Sequence, residues 1–82
     1  MTVSSISVAQ SEGWKLVLTG IGVAQNIGNA PIFIKPSATL PTDDVGNFYK
    51  ASYEEVENTD ATLNLYARTT GATTAFVSSW AV

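Results

Sequence analysis

Short apolar runs alternating with polar positions, separated by Gly, Pro, Asn and Asp, run the length of this chain. A period of two is the signature of strands with one buried face. The clearest case is residues 14–19, where Trp14, Leu16 and Leu18 fall on one side and Lys15, Val17 and Thr19 on the other. Residues 62–68 repeat the pattern, with Leu63, Leu65 and Ala67 opposite Asn64, Tyr66 and Arg68. Residues 3–8, 23–27, 32–35, 48–53 and 73–80 read as further strands. In them Val23, Gln25 and Ile27 share one side, and Ile32 and Ile34 point inward. The predicted core is Leu16, Leu18, Val23, Ile27, Ile32, Ile34, Leu63 and Leu65.

The connections are read from turn chemistry. Residues 10–13 form a turn, and Gly20-Ile21-Gly22 permits a tight bend or bulge. Pro31 and Pro36 frame the 32–35 strand, so its ends are expected outside a continuous ladder. Residues 36–47, with Pro41, Asp43, Asp44 and Gly46, read as an exposed loop. Residues 54–60 carry Glu54, Glu55, Glu57 and Asp60, and fit either a charged edge strand or a single helical turn. Residues 69–72 read as a hairpin connection to the last strand, and sequential hairpins are expected to dominate. Some six to eight short strands within 82 residues predict one all-β domain, a small antiparallel β-sandwich or barrel.

Composition narrows the chemistry. The chain has no histidine and no cysteine, so the commonest general base, the commonest metal ligand, thiolate sites and disulfides are all missing. Ser11 and Lys15, or Lys50 and Ser52, are near in sequence, but solvated strand residues explain them better than a Ser–Lys pair. The acids do not follow the spacing of a calcium loop, and Gly20-Ile21-Gly22 has neither the third glycine nor the helix of a phosphate cradle. No catalytic residue, metal or cofactor is therefore expected, and the chain reads as non-enzymatic.

Net charge is −3, and the four cations Lys15, Lys35, Lys50 and Arg68 are scattered, so nucleic acid is not an expected partner. No signal peptide or membrane-length apolar run appears, which implies synthesis in the cytoplasm of the producing cell and no membrane partner. Charged residues make up 13% of the chain against 45% hydrophobic, a balance that favours apolar surface hidden against a protein partner or another copy. Trp80, near the end of the sequence, and the acidic residues Glu54, Glu55 and Glu57 are the first candidates for an interface; Tyr66 and Arg68 on the 62–68 strand are the others.

Three stretches also resemble small β-rich virion structural proteins of tailed bacteriophages. These are Trp14 with the strand after it, the Val23, Gln25 and Asn26 turn before a strand, and the Leu65-Tyr66-Ala67-Arg68 strand before the last connection. The resemblance spans about residues 14–77; the acidic 53–60 segment replaces the Pro-Gly-Glu turn of that pattern. It implies a structural role in a virion made in the host cytoplasm, as head decoration, cement or tail component. The partners would be capsid or tail proteins, with self-association as a homo-oligomer. A carbohydrate- or receptor-binding module and a small acidic inhibitor of a host protein are the competing readings. The first requires aligned exposed aromatics, the second a basic target.

Overall fold

The computed structural model describes residues 3–43, 45–71 and 73–81. The elements in chain order are β1 (Val3–Val8), a 3-10 turn (Gln10–Glu12), β2 (Lys15–Thr19), β3 (Gly22–Asn26), β4 (Ile32–Ser37), β5 (Phe48–Lys50), β6 (Glu55–Asn58), β7 (Asn64–Thr69) and β8 (Ala75–Ala81). They form two four-stranded antiparallel sheets, ordered β1-β8-β3-β6 and β2-β7-β4-β5. Both contribute to one core: Val8, Ala24, Ala75 and Val77 from the first, and Val17, Leu18, Ile32, Ile34, Leu65 and Ala67 from the second. The fold is thus an all-β sandwich. The acidic 54–60 segment takes the strand alternative and supplies the edge strand β6.

The connectivity differs from the expected run of hairpins. Only β4 and β5 are neighbours both in sequence and in a sheet. β7 and β8 lie in opposite sheets, so the segment after Thr69 is a crossover between layers, not a hairpin. The Gly20-Ile21 bend likewise carries the chain from one sheet to the other, with Gly20 at φ 74°. Pro36 lies inside the β4–β7 ladder, opposite Leu65. It is tolerated because β5 pairs with β4 only as far as Ile34, so beyond that point β4 is itself an edge.

Of the predicted core, Leu18, Ile32, Ile34 and Leu65 are buried, and Val23 and Leu63 are half-buried. Leu16 and Ile27 are instead 44% and 37% exposed. For Leu16 the cause is a bulge in β2: the register with β7 slips between Leu16 and Leu18. Val17 and Leu18 consequently both turn inward, while Leu16 stays outside opposite Tyr66. For Ile27 the cause is that β3 buries Gly22, Ala24 and Asn26 rather than Val23, Gln25 and Ile27.

Burying Asn26 is tolerable because its amide is satisfied. Nδ2 donates to the carbonyls of Ala30 (2.8 Å) and Lys50 (3.2 Å), and Oδ1 accepts from Gly28 N–H at 3.0 Å. Asn58 on β6 plays the matching part at the other end of the sheet. Its Nδ2 reaches the carbonyls of Gly20 (2.7 Å), Asp60 (3.1 Å) and Leu63 (2.9 Å). Two buried asparagines thereby fasten the loops that the small core leaves unsupported.

Candidate functional site

Strand alternation sorts the first sheet into two faces. Its inward set is Ile6 and Val8, Ala75, Val77 and Ser79, Gly22, Ala24 and Asn26, then Val56 and Asn58, all buried or half-buried. Its outward set forms cross-strand rows. Trp80 on β8 lies opposite Val23 of β3, and Val23 lies opposite Glu57 of β6. The next row runs Ser5, Ser78, Gln25, Glu55. The third holds Ser7 and Phe76, with Ile27 N–H donating to the Phe76 carbonyl at 3.0 Å. An outward face of a small sandwich is ordinarily polar. Here it carries Trp80, Val23, Phe76 and Ile27, and Phe76 is 48% exposed. Carboxylates stand along one flank.

Trp80 is not a frayed end. β8 is an inner strand, held by β1 on one side and β3 on the other, and the β3 ladder continues to Ala81. The indole is half-buried across the outer face. Tyr53 adds a second aromatic at the margin, 69% exposed and held at φ 68°. That left-handed conformation costs a bulky residue about 1–3 kcal/mol. The turn is held from β3: Tyr53 N–H donates to the Asn26 carbonyl at 2.6 Å, and Gln25 Nε2 donates to the Tyr53 carbonyl at 3.0 Å.

The outward face of the second sheet is covered in part, with Leu16 and Tyr49 left exposed. Tyr66 lies between Leu16 of β2 and Lys35 of β4, and Arg68 lies opposite Phe33. The Arg68 guanidinium sits 5.6 Å from the Trp14 ring centre, a cation–π contact. The connection after β4 is drawn down onto this face. The Lys35 ammonium pairs with the Asp43 carboxylate, Trp14 Nε1–H donates to the Asp43 carbonyl at 3.1 Å, and Pro41 is buried. Tyr66 is left 7% exposed although it points outward.

The structure therefore brings Trp80, Glu55 and Glu57 onto one open face. Glu54 stands just before β6, exposed, its Oε1 accepting Ala51 N–H at 2.6 Å. Tyr66 and Arg68 belong to the opposite face, under or beside the chain's own loop. Phe76, Val23 and Ile27 were the residues that pattern reading missed as surface. The signal was present in the alternation of residues 75–81, where Ala75, Val77 and Ser79 are one set and Phe76, Ser78 and Trp80 the other.

Two open clefts flank the sandwich, one of about 300 Å³ between β2 and the β1–β8 side, the other of about 450 Å³ between β5 and β6. The second is lined by Phe48, Val56 and Leu63 and rimmed by Glu55, Glu57 and Asp60. Among the described residues no three acids come together as a cation site.

The Asp43 tie makes a prediction. The Lys35 ammonium, and secondarily the Val45 N–H, hold the Asp43 carboxyl below its ordinary range. A carboxyl with a depressed folded value contributes stability above its unfolded value, and that contribution is lost as pH falls through the folded value. In a Trp80→Phe background, Trp14 emission should hold steady from pH 7 to about 4 and move to the red below it. Asp43→Asn should show the red-shifted emission already at pH 7. Identical emission in the two proteins at neutral pH would mean that the tie does not hold the loop.

Comparison of the chain with protein-family models, with curated proteins and with solved structures gives no match.

Proposed function

We propose that the chain is a non-enzymatic structural protein of a phage virion, binding a capsid or tail lattice and associating with itself in many copies. The observation that carries the protein-binding part is the contrast between the two outward faces. One is partly covered by the chain's own loop, tied down through Asp43, Lys35 and Trp14. The other leaves Phe76 and Ile27 exposed and Trp80 and Val23 half-exposed, beside Glu55 and Glu57, with no loop over them. A rigid aromatic anchor on an inner strand, bordered by apolar neighbours and a charged rim, is the composition of an interface centre. The virion assignment adds the resemblance carried by residues 23–26 and 65–68, and a low-charge surface suited to repeated weak contacts in a lattice.

The test is attachment to particles. The chain should co-sediment with purified phage particles in many copies, and Trp80→Ala should weaken attachment by about 30-fold, a 2 kcal/mol anchor. Phe76→Ser should weaken it less, with both variants keeping the wild-type far-UV spectrum. A chain absent from particles, or attachment indifferent to both changes, would reject the reading.

A second reading has an observation of its own. Tyr49, Phe33 and Arg68 form one row across the second sheet, extended by Trp14 over Arg68, with Phe33 and Tyr49 packed edge-to-face at 5.9 Å. Aligned aromatics of this kind stack on sugars. Glycan-array binding that disappears in Tyr49→Ala and persists in Trp80→Ala would favour that reading over the first.

A further inference from the structure

The four edge strands of the sandwich are not equally protected. An edge strand offers unpaired N–H and C=O groups to any other strand, and proteins blunt this with bulges, short length or charge. β2 carries the bulge at Val17. β5 is three residues long. β6 presents the exposed carboxylates of Glu55 and Glu57, which would oppose one another across a pair of like strands. The residues of β1 carry none of these devices: the strand is six residues long, regular in its register with β8, and without a charged residue, proline or glycine of its own.

The side of β1 that is open can be read from the ladder. The Phe76 carbonyl serves β3, so the backbone groups of Phe76, Ser78 and Trp80 face β3 and those of Ala75, Val77 and Ser79 face β1. Their partners are Val8, Ile6 and Ser4. The peptide groups of Val3, Ser5 and Ser7 therefore point away from the sheet. One of these contacts is visible: the Lys15 ammonium donates to the Ser7 carbonyl at 2.8 Å. It engages one lone pair of that oxygen and leaves the Val3 and Ser5 groups facing outward.

We infer that β1 pairs antiparallel with β1 of a second copy across a two-fold axis at Ser5, continuing the first sheet into eight strands. Parity restricts the register to pairings of outward-facing residues, and among these one register engages Val3, Ser5 and Ser7 together. In that register Ser5 meets Ser5 of the other copy and Val3 meets its Ser7. The occupant is a second copy because an uncharged strand meets itself without local repulsion, whereas two β6 edges would set Glu55 and Glu57 against their own counterparts. The pairing also lays the two Trp80 faces side by side on one continuous surface. It deepens the self-association part of the proposed function and is independent of whether the lattice is a capsid or a tail.

The chain contains no cysteine, so a single introduced thiol reports geometry cleanly. Under mild oxidation Ser5→Cys should form a disulfide-linked dimer about tenfold or more faster than Thr70→Cys, which is exposed on the far crossover. In the unmodified chain the Ser5 amide should gain hydrogen-exchange protection as concentration rises, and light scattering should approach twice the 8.7 kDa chain mass. Ser5→Pro, which removes the outward N–H on an edge, should leave the circular dichroism unchanged and yield a monomer. Equal cross-linking rates for the two cysteine variants, or a dimer that survives Ser5→Pro, would overturn the pairing. Particle attachment by a monomeric Ser5→Pro chain would leave the proposed function standing without it; loss of attachment in Trp80→Ala with dimerisation intact would assign the failure to the face and not the edge.

Discussion

Replacing Asn58 with leucine is expected to remove about 3–4 kcal/mol of stability, a large share of the roughly 5–15 kcal/mol that holds a domain folded. The residue is 5% exposed, and its amide joins three separate pieces of chain. Nδ2 donates to Gly20 on the β2–β3 crossover and to Asp60 and Leu63 on the turn before β7, while Oδ1 accepts Asp60 N–H at 3.1 Å. An isosteric apolar side chain fills the space but strands several backbone groups, each costing about 1–3 kcal/mol where water does not reach it. Asn58→Asp is the sharper experiment. A carboxylate cannot donate to three carbonyls, so burial and those oxygens raise the new group's folded pKa above its unfolded value. A group shifted in that direction stabilises the fold increasingly as pH falls. Urea midpoints should show Asn58→Asp far below wild type at pH 7, with the gap narrowing toward pH 5. A gap that is constant with pH would mean that the site is wet enough to solvate the carboxylate.

The same asparagines mark where pattern reading stops working. The existence of most strands, the all-β class and the inward set of β4 and β7 follow directly from alternation and turn residues. The face of β3 does not. Hydrophobicity puts Val23 and Ile27 inside, yet the chain buries Gly22, Ala24 and Asn26, because close approach of β8 needs a small residue and the neighbouring loops need an amide. Neither demand has a periodic signature. β2 fails for a different reason: one extra residue at Val17 inverts the parity of everything before it. Topology was equally hidden. A Thr-Thr-Gly turn is compatible with a hairpin or with a crossover, and only the partnering of β7 with β2 and β4 decides between them. For the site, Trp80, Glu55 and Glu57 were legible as surface candidates, but their shared face depends on β3 lying between β8 and β6, which no local pattern encodes.

Gly22→Ala should be nearly as damaging as the loss of Asn58, at about 3 kcal/mol, the upper part of the range for overpacking. Gly22 opens β3 between Ala81 of β8 and Asn58 of β6. A Cβ there would overlap the carbonyl oxygen of Trp80 and come within 3.1 Å of both Ala81 Cα and Leu18 Cδ1. The leucine end can swing away, but the two backbone atoms move only if β8 separates from β3. That separation lies beneath Trp80, so stability and the outer face should fail together: Trp80 emission shifts to the red, and the particle attachment proposed above should drop with it, although no face residue has changed. Gly71→Ala, whose added methyl meets nothing within 4 Å, should stay within about 0.5 kcal/mol of wild type. If Gly22→Ala instead kept the wild-type emission and midpoint, the β3–β8 contact would have to be looser than this packing requires. The anchoring of Trp80 would then rest on the β1–β8 ladder, and the edge strand that carries the proposed dimer would also be the one that positions the outer face.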